Sequence, residues 1–313
     1  MAKHLYAIEL LAPAKVNLTL EILGKRPDGY HGLRSVLMPV SLFDTVRLEV
    51  LPGNGVECEM RAEGVDVSGM SGENLAARAA RLFQERTGIF HGVRIRIVKR
   101  IPLGGGLGGG SADAAAVLRG LQTLWGARLK RAELISMAAE LGSDVPAMAL
   151  GGAVLMTGRG EHVRRIRVPP GRGMWMVIAN DGTHCPTGEI YKRYARAKTQ
   201  GAIRETRNFS RGILVPVRSG DVEKTAQGLK NDLQEVVFEN YPGVAALAER
   251  LKVEGGRGVL LSGSGASVFT LVQSKIQGET IRKNMLNCVK WVTLVQTLPE
   301  NPTGKFGRVF SLA

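Results

Sequence analysis

The stretch Leu103-Gly104-Gly105-Gly106-Leu107-Gly108-Gly109-Gly110-Ser111 places six glycines in the seven positions 104–110. Without side chains, the backbone N–H groups of such a loop can approach an anion closely. A strongly patterned helix follows from Ser111, with Ala114, Val117, Leu118, Leu121 and Leu124 on one side. A helix N-terminus carries unpaired N–H donors and a partial positive charge, so loop and helix together make a phosphate cradle. Lys15 and Asn17 stand two residues apart where the chain alternates, so an ammonium and a carboxamide share one strand face. Phosphate handling is therefore the chemistry to expect. A Walker A loop needs a lysine just before the hydroxyl residue, and Gly110 precedes Ser111. Gly104, Gly106 and Gly109 match G-x-G-x-x-G, but Pro102 separates them from the preceding strand and no acidic residue holds the ribose position. The His-Arg-Asp and Asp-Phe-Gly signatures of protein kinases are missing.

Alternation predicts a half-buried strand over Val16–Ile22 with Asn17, Thr19 and Glu21 on a polar face, then a turn at Asp28-Gly29. Further strands are expected at Val46–Val50, Val56–Met60 and Val93–Ile97, and helices at Glu73–Thr87 and Arg131–Leu141. The basic run Arg164–Arg167 with Pro169, Pro170 and Gly171 reads as a junction, so the expected division is 1–168 and 169–313. Beyond it lie strands at Trp175–Ala179, Val259–Leu261, Ser267–Leu271 and Trp291–Val295. Helices are expected near 187–195, 221–229 and 244–251, and a basic irregular loop over 200–220. Strands and helices mix without regular βαβ alternation, which points to α+β.

At 313 residues the chain is long enough for two domains, and 44% hydrophobic with 22% charged residues suits a globular protein. Its 42 lysines and arginines against 28 aspartates and glutamates leave a net charge of +14. That field favours polyanions: nucleotides, phosphorylated metabolites, nucleic acid or acidic membranes. Cys58, Cys185 and Cys288 are too few and too scattered for a disulfide framework or a zinc ribbon, which suits a reducing cytoplasm. The longest apolar run, Val145–Met156, is 12 residues and holds Pro146, Gly151 and Gly152, too short and broken to span a membrane. Ala12-Pro13-Ala14 imitates a signal cleavage site, but Glu9 breaks the apolar stretch before it, so no secretion is expected.

The loop Pro102-Leu103 through Ser111 resembles the phosphate loop of the GHMP small-molecule kinases. Pro13-Ala14-Lys15-Val16-Asn17-Leu18 resembles that family's first motif, and Leu261-Ser262-Gly263-Ser264-Gly265-Ala266 its third. The resemblance covers most of the chain. It implies a two-domain α+β fold with the site in the cleft: an N-terminal domain carrying phosphate loop and base, and a C-terminal domain closing over them. ATP as co-substrate and Mg²⁺ are implied with it. Gly24–His31, Leu141–Pro146 and Lys230-Asn231-Asp232-Leu233 are similar to the branch of the family that phosphorylates a CDP-linked methylerythritol on its 2-hydroxyl. Two alternatives stand beside it. One is a mevalonate- or homoserine-type member of the same family. The other is a basic nucleic-acid-binding protein, which would lack any recognised module and whose basic clusters are not interleaved with aromatics.

Roles follow from the resemblance. Asp144 is the implied base for the acceptor hydroxyl, Lys15 orients it, and Asn17 hydrogen-bonds substrate. Tyr30 is implied to stack on cytosine while His31 bonds its edge. The segment Pro186-Thr187-Gly188-Glu189-Ile190-Tyr191 supplies Thr187 and, as the other face of the sandwich, Tyr191. Asn74 and Lys99 are implied near adenine, whereas by sequence alone they are a helix cap and a strand-end charge. Pro102, Leu103, Gly104, Gly105, Gly106, Leu107, Gly108, Gly109, Gly110 and Ser111 hold the phosphates. Ser111 binds phosphate or Mg²⁺, or only caps its helix; Asp113 orders the loop or is a plain first-turn carboxylate. Gly263, Ser264 and Gly265 form a small-residue turn able to approach the phosphates, or a tight hairpin. No protein side chain is assigned as a metal ligand. Cys185 precedes Pro186, and nothing in the sequence gives it reactivity.

Overall fold

The first two strands, β1 (Leu5–Lys25) and β2 (His31–Leu51), are 21 residues each, several times the common strand length. They pair antiparallel from Ala7–Glu49 to Lys25–His31, with register shifts at Pro13/Lys15, Asn17/Thr19 and Ile22/Gly24. Pro13 brings no N–H to the ladder, and each shift lets the long ribbon bend. The computed structural model describes residues 5–25, 31–66, 73–200, 208–298 and 307–311.

Along the chain follow β3 (Val56–Ala62), α1 (Leu75–Thr87), β4 (Gly92–Lys99), α2 (Gly109–Leu124), α3 (Arg131–Leu141), α4 (Val145–Leu150), β5 (Val154–Gly158) and β6 (His162–Arg165). Next come β7 (Trp175–Asn180), α5 (Thr187–Thr199), α6 (Phe209–Gly212), α7 (Leu214–Ser219), α8 (Val222–Gln227) and β8 (Lys230–Asn231). The chain continues through α9 (Gln234–Asn240), α10 (Pro242–Val253), β9 (Arg257–Leu261), β10 (Val268–Val272), α11 (Lys275–Met285), β11 (Trp291–Gln296) and β12 (Gly307–Ser311).

The larger sheet is eight-stranded, ordered β12-β1-β2-β4-β3, with β5 on β2, β6 on β5 and β8 on β1. The smaller is four-stranded, ordered β11-β7-β10-β9. Helices α1 to α4 bury Phe83, Leu118, Leu121 and Met137 against Leu48 and Ile95 of the larger sheet. A second cluster joins the two sheets through Val16, Leu18, Met38, Ile178 and Phe269. A third packs α5, α9, α10 and α11 on the smaller sheet, around Tyr194, Val237, Leu251 and Val268. Truncating one such side chain, Leu118→Ala for example, costs about 2–5 kcal/mol.

Several expectations change. β1 is covered on both faces: Asn17, Thr19 and Glu21 are as buried as Val16, Leu18 and Leu20. Their polar groups are satisfied across the hairpin. Asn17 Nδ2 donates to Ser35 Oγ at 2.8 Å, Ser35 Oγ to the Thr19 carbonyl at 2.6 Å, and Val36 N to Thr19 Oγ1 at 3.0 Å. The apolar run 145–156 folds as α4 and the start of β5, because Gly151 and Gly152 both turn at positive φ. The expected irregular loop over 200–220 is mostly helical where it is described: α6 and α7 occupy 209–212 and 214–219 and bury Ser210 and Val217, while 201–207 lie outside the described residues.

Candidate active site

One cavity of about 980 Å³ lies between the two sheets. The larger sheet and its helices contribute Lys15, Asn17, His31, Asp144 and the whole of 102–111; the other side contributes Thr187, Tyr191, Gly263 and Ser264.

The glycine loop presents its N–H groups because its carbonyls are held elsewhere. The Gly105 carbonyl accepts from Ser267 N at 3.1 Å, that of Gly106 from Ser262 Oγ at 3.0 Å, and that of Leu107 from Lys15 N at 2.9 Å. Gly108 then starts α2 in the left-handed conformation, with φ 68° and no side-chain cap. The donors of the first turn are thus left for an anion. Gly106 has φ 71°, and a Cβ there would lie 2.0 Å from the Ser262 carbonyl oxygen, so this position admits no side chain.

Lys15 is the meeting point of the three sequence motifs. Its stem crosses Gly108, where a Cβ would approach Lys15 Cγ and Cε to 2.9 Å. A Cβ on Gly263 would lie 3.2 Å from its Nζ. That Nζ donates to Asn17 Oδ1 at 2.6 Å and stands 3.2 Å from Asp144 Oδ2. Asp144 opens α4 and makes no side-chain cap bond, so its carboxylate is left to the cavity. Behind it the turn from β5 to β6 packs so closely that a Cβ on Gly160 would lie 2.2 Å from the Ser143 carbonyl oxygen.

Across the cavity the ring of His31, from the larger sheet, faces that of Tyr191 on the other side, 5.7 Å apart and tilted by 34°. Burial, and after it the Asp144 carboxylate, raise the Tyr191 phenol above its ordinary value, so it stays neutral. Thr187 Oγ1 and Ser264 Oγ share a hydrogen bond of 2.8 Å, joining α5 to the third motif. Asn231 steadies that motif by donating from Nδ2 to the carbonyls of Leu261 at 2.9 Å and Gly263 at 2.8 Å. Next to it, Asp232 Oδ2 accepts from Ile22 N at 2.8 Å and ties the segment to β1. Cys185 is buried, and burial pushes its thiol up to about 11, so it is no nucleophile at neutral pH.

The chain matches the model of the GHMP kinases N terminal domain over residues 74–152 and that of GHMP kinases C terminal over 213–289. It is 41% identical over 276 residues to the 4-diphosphocytidyl-2-C-methyl-D-erythritol kinase of Gloeobacter violaceus, covering 88% of each chain. The chain belongs to the GHMP kinase family. A crystal structure of 4-(cytidine 5'-diphospho)-2C-methyl-D-erythritol kinase superposes with a TM-score of 0.76 at 32% identity, covering 93% of this chain and 99% of that one. The homoserine kinase of Cytophaga hutchinsonii shares the fold, with a TM-score of 0.71 at 19% identity over 99% and 98% of the two chains.

For this GHMP kinase, the cavity brings together Lys15, Asn17, His31, Asp144, Thr187, Tyr191 and the entire phosphate loop. Tyr30 lies outside the described residues. Asn74 spends its side chain capping α1, with Oδ1 accepting from Ala76 N at 2.9 Å, and the neighbouring Leu75 reaches the cavity instead. Lys99, expected near adenine, does not line the cavity. Its ammonium is 1% exposed and bonded to Asp44 and Asp113, which draw it beneath the loop. Sequence reasoning missed Ser143, Arg159 and Lys192 in the lining. The signal for Arg159 was a basic residue between Gly158 and Gly160, in a hairpin hidden by the apolar run before it. Among the described residues no cluster of three or more His, Cys, Asp or Glu could hold a metal, and no helix is long and apolar enough to cross a membrane.

Proposed function

We propose that this chain transfers the γ-phosphoryl group of ATP to the 2-hydroxyl of 4-diphosphocytidyl-2-C-methyl-D-erythritol. The observation that carries the reading is the Lys15–Asp144 contact of 3.2 Å, in a cavity that also holds the glycine loop and the facing rings of His31 and Tyr191. The 41% identity to a relative bearing that activity in its name supports the substrate, against 19% for the homoserine kinase fold.

In this reading the loop 102–111 holds the donor phosphates by backbone N–H groups and the dipole of α2. Asp144 takes the proton of the acceptor hydroxyl, and that oxygen attacks the γ-phosphorus in line as the bond to the β-phosphate oxygen breaks. Lys15 orients Asp144 and the attacking oxygen. Asn17 bonds a substrate hydroxyl, while Tyr30 and Tyr191 enclose cytosine and His31 reads its edge. Bound with ATP near the Ser111 hydroxyl, Mg²⁺ would neutralise polyphosphate charge. The donor set fits an ion that arrives on ATP, since Ser111 offers one hydroxyl at the cavity and the described residues hold no carboxylate cage. Residues 1–168 are proposed as the domain of loop and base and 169–313 as the closing domain. The cytoplasm is the proposed compartment, consistent with three free cysteines.

Replacing Tyr191 by alanine tests the acceptor side. KM for the cytidylyl substrate should rise at least about tenfold with KM for ATP nearly unchanged. Equal effects on both would contradict the assignment.

A further inference from the structure

Three ionisable side chains lie buried beneath the glycine loop, outside the cavity: Lys99 at 1% exposed, Asp44 at 0% and Asp113 at 3%. Lys99 Nζ donates to Asp113 Oδ2 at 2.7 Å and also to Asp44 Oδ2. The other Asp44 oxygen accepts from Arg100 N at 2.6 Å and Ile101 N at 3.0 Å. Asp113 Oδ1 has no hydrogen-bond partner among the described residues. A well-packed apolar trio is often as stable as buried ions. An arrangement that leaves an acceptor unpaired is thus poorly explained by stability alone.

Its placement suggests another purpose. The loop has two stems, the exit of β4 at 99–101 and the first turns of α2. Asp44, from β2, fixes the entering stem through two backbone N–H groups. Asp113 belongs to the leaving stem. Lys99 bridges them, and its Nζ would lie 3.0 Å from a Cβ on Gly109, so the ammonium sits under the first residue of α2. We infer that Asp44, Lys99 and Asp113 form a clamp that sets the spacing of the two stems, and with it the aim of the loop N–H groups. Lys99 and Asp113 are then positioning residues for the donor phosphates and touch no nucleotide base. The inference rests on the loop being the donor site, as proposed above.

The test uses the full chain and its Lys99→Met, Lys99→Arg and Asp113→Asn variants. Binding of ADP and of adenosine is measured by calorimetry, with KM for ATP and for the acceptor from steady-state kinetics. A clamp predicts that Lys99→Met and Asp113→Asn weaken ADP binding and raise KM for ATP by about tenfold or more. Adenosine binding and KM for the acceptor should move less than about twofold, and Lys99→Arg should recover part of the loss. Should Lys99→Met fail to fold, Asp113→Asn, which keeps the side-chain shape, carries the test. A loss of ADP affinity smaller than about tenfold in Asp113→Asn would overturn the clamp, as would losses shared equally by ADP, adenosine and acceptor. If the native chain itself bound no ADP, the donor-site reading would fall and the clamp with it.

Discussion

Lys15 Nζ stands 3.2 Å from Asp144 Oδ2 while donating to Asn17 Oδ1 at 2.6 Å. The ammonium is thus held from two sides, and the carboxylate it faces is oriented by a contact rather than by its own helix. Asp144→Asn should lower kcat by about 10²–10⁴-fold with little change in KM for either substrate. Lys15→Met should do the same, and the double variant should lose little more than either single one, since the two act as a unit. Additive losses would separate their roles.

Gly106 and Gly110 distinguish folding from binding. A Cβ at Gly106 meets the Ser262 carbonyl oxygen at 2.0 Å, whereas one at Gly110, a residue of the cavity lining, meets nothing within 4 Å. Gly106→Ala should lower the melting temperature and abolish activity. Gly110→Ala should leave the fold as stable or gain about 0.5–1 kcal/mol, yet raise KM for ATP, because the added methyl occupies the space of a phosphate. Thermal melts beside ATP titrations check both.

Ser262 Oγ donates to the Gly106 carbonyl at 3.0 Å and so holds the middle of the loop. Ser262→Ala frees the Gly106 carbonyl at a cost of about 1 kcal/mol and should raise KM for ATP more than KM for the acceptor. Equal shifts would mean the bond serves stability alone.

Two carboxyls hold their protons longer in the fold than in the open chain. Asp113 is pushed from 3.8 up to about 7, mostly by burial, with Lys99 opposing and Asp44 adding to it. Burial likewise lifts Asp232 to about 6 against the Ile22 N–H. Between pH of about 4 and about 7 the native chain therefore binds more protons than the unfolded one, so their contribution to stability falls as pH rises through that window. Asp113→Asn should flatten the decline in melting temperature between pH of about 5 and about 7.5, and an unchanged slope would contradict this.

The phosphate loop was legible because a glycine run entering a patterned helix has few other physical meanings. The late strands of the smaller sheet were legible because their short alternating or apolar runs sit between turn residues. The rest depended on distant partners. Asn17 and Thr19 read as one polar face of a half-buried strand because the groups that meet their side chains, Ser35 Oγ and Val36 N, come from a strand 18 and 17 residues away along the chain. Lys99 read by itself as a strand-end charge, and the resemblance placed it near adenine; its partner Asp44, 55 residues earlier, was not visible to either reading. Bulges in β1 and β2 erase the simple period of two, so only 16–22 of the one and 46–50 of the other showed a clear pattern.

The most direct measurement is ADP release from ATP and Mg²⁺ with three acceptors side by side: 4-diphosphocytidyl-2-C-methyl-D-erythritol, mevalonate and homoserine. Turnover is expected on the cytidylyl compound alone, and lost in Asp144→Asn. Turnover on mevalonate or homoserine, or none on the cytidylyl compound, would contradict the proposed function.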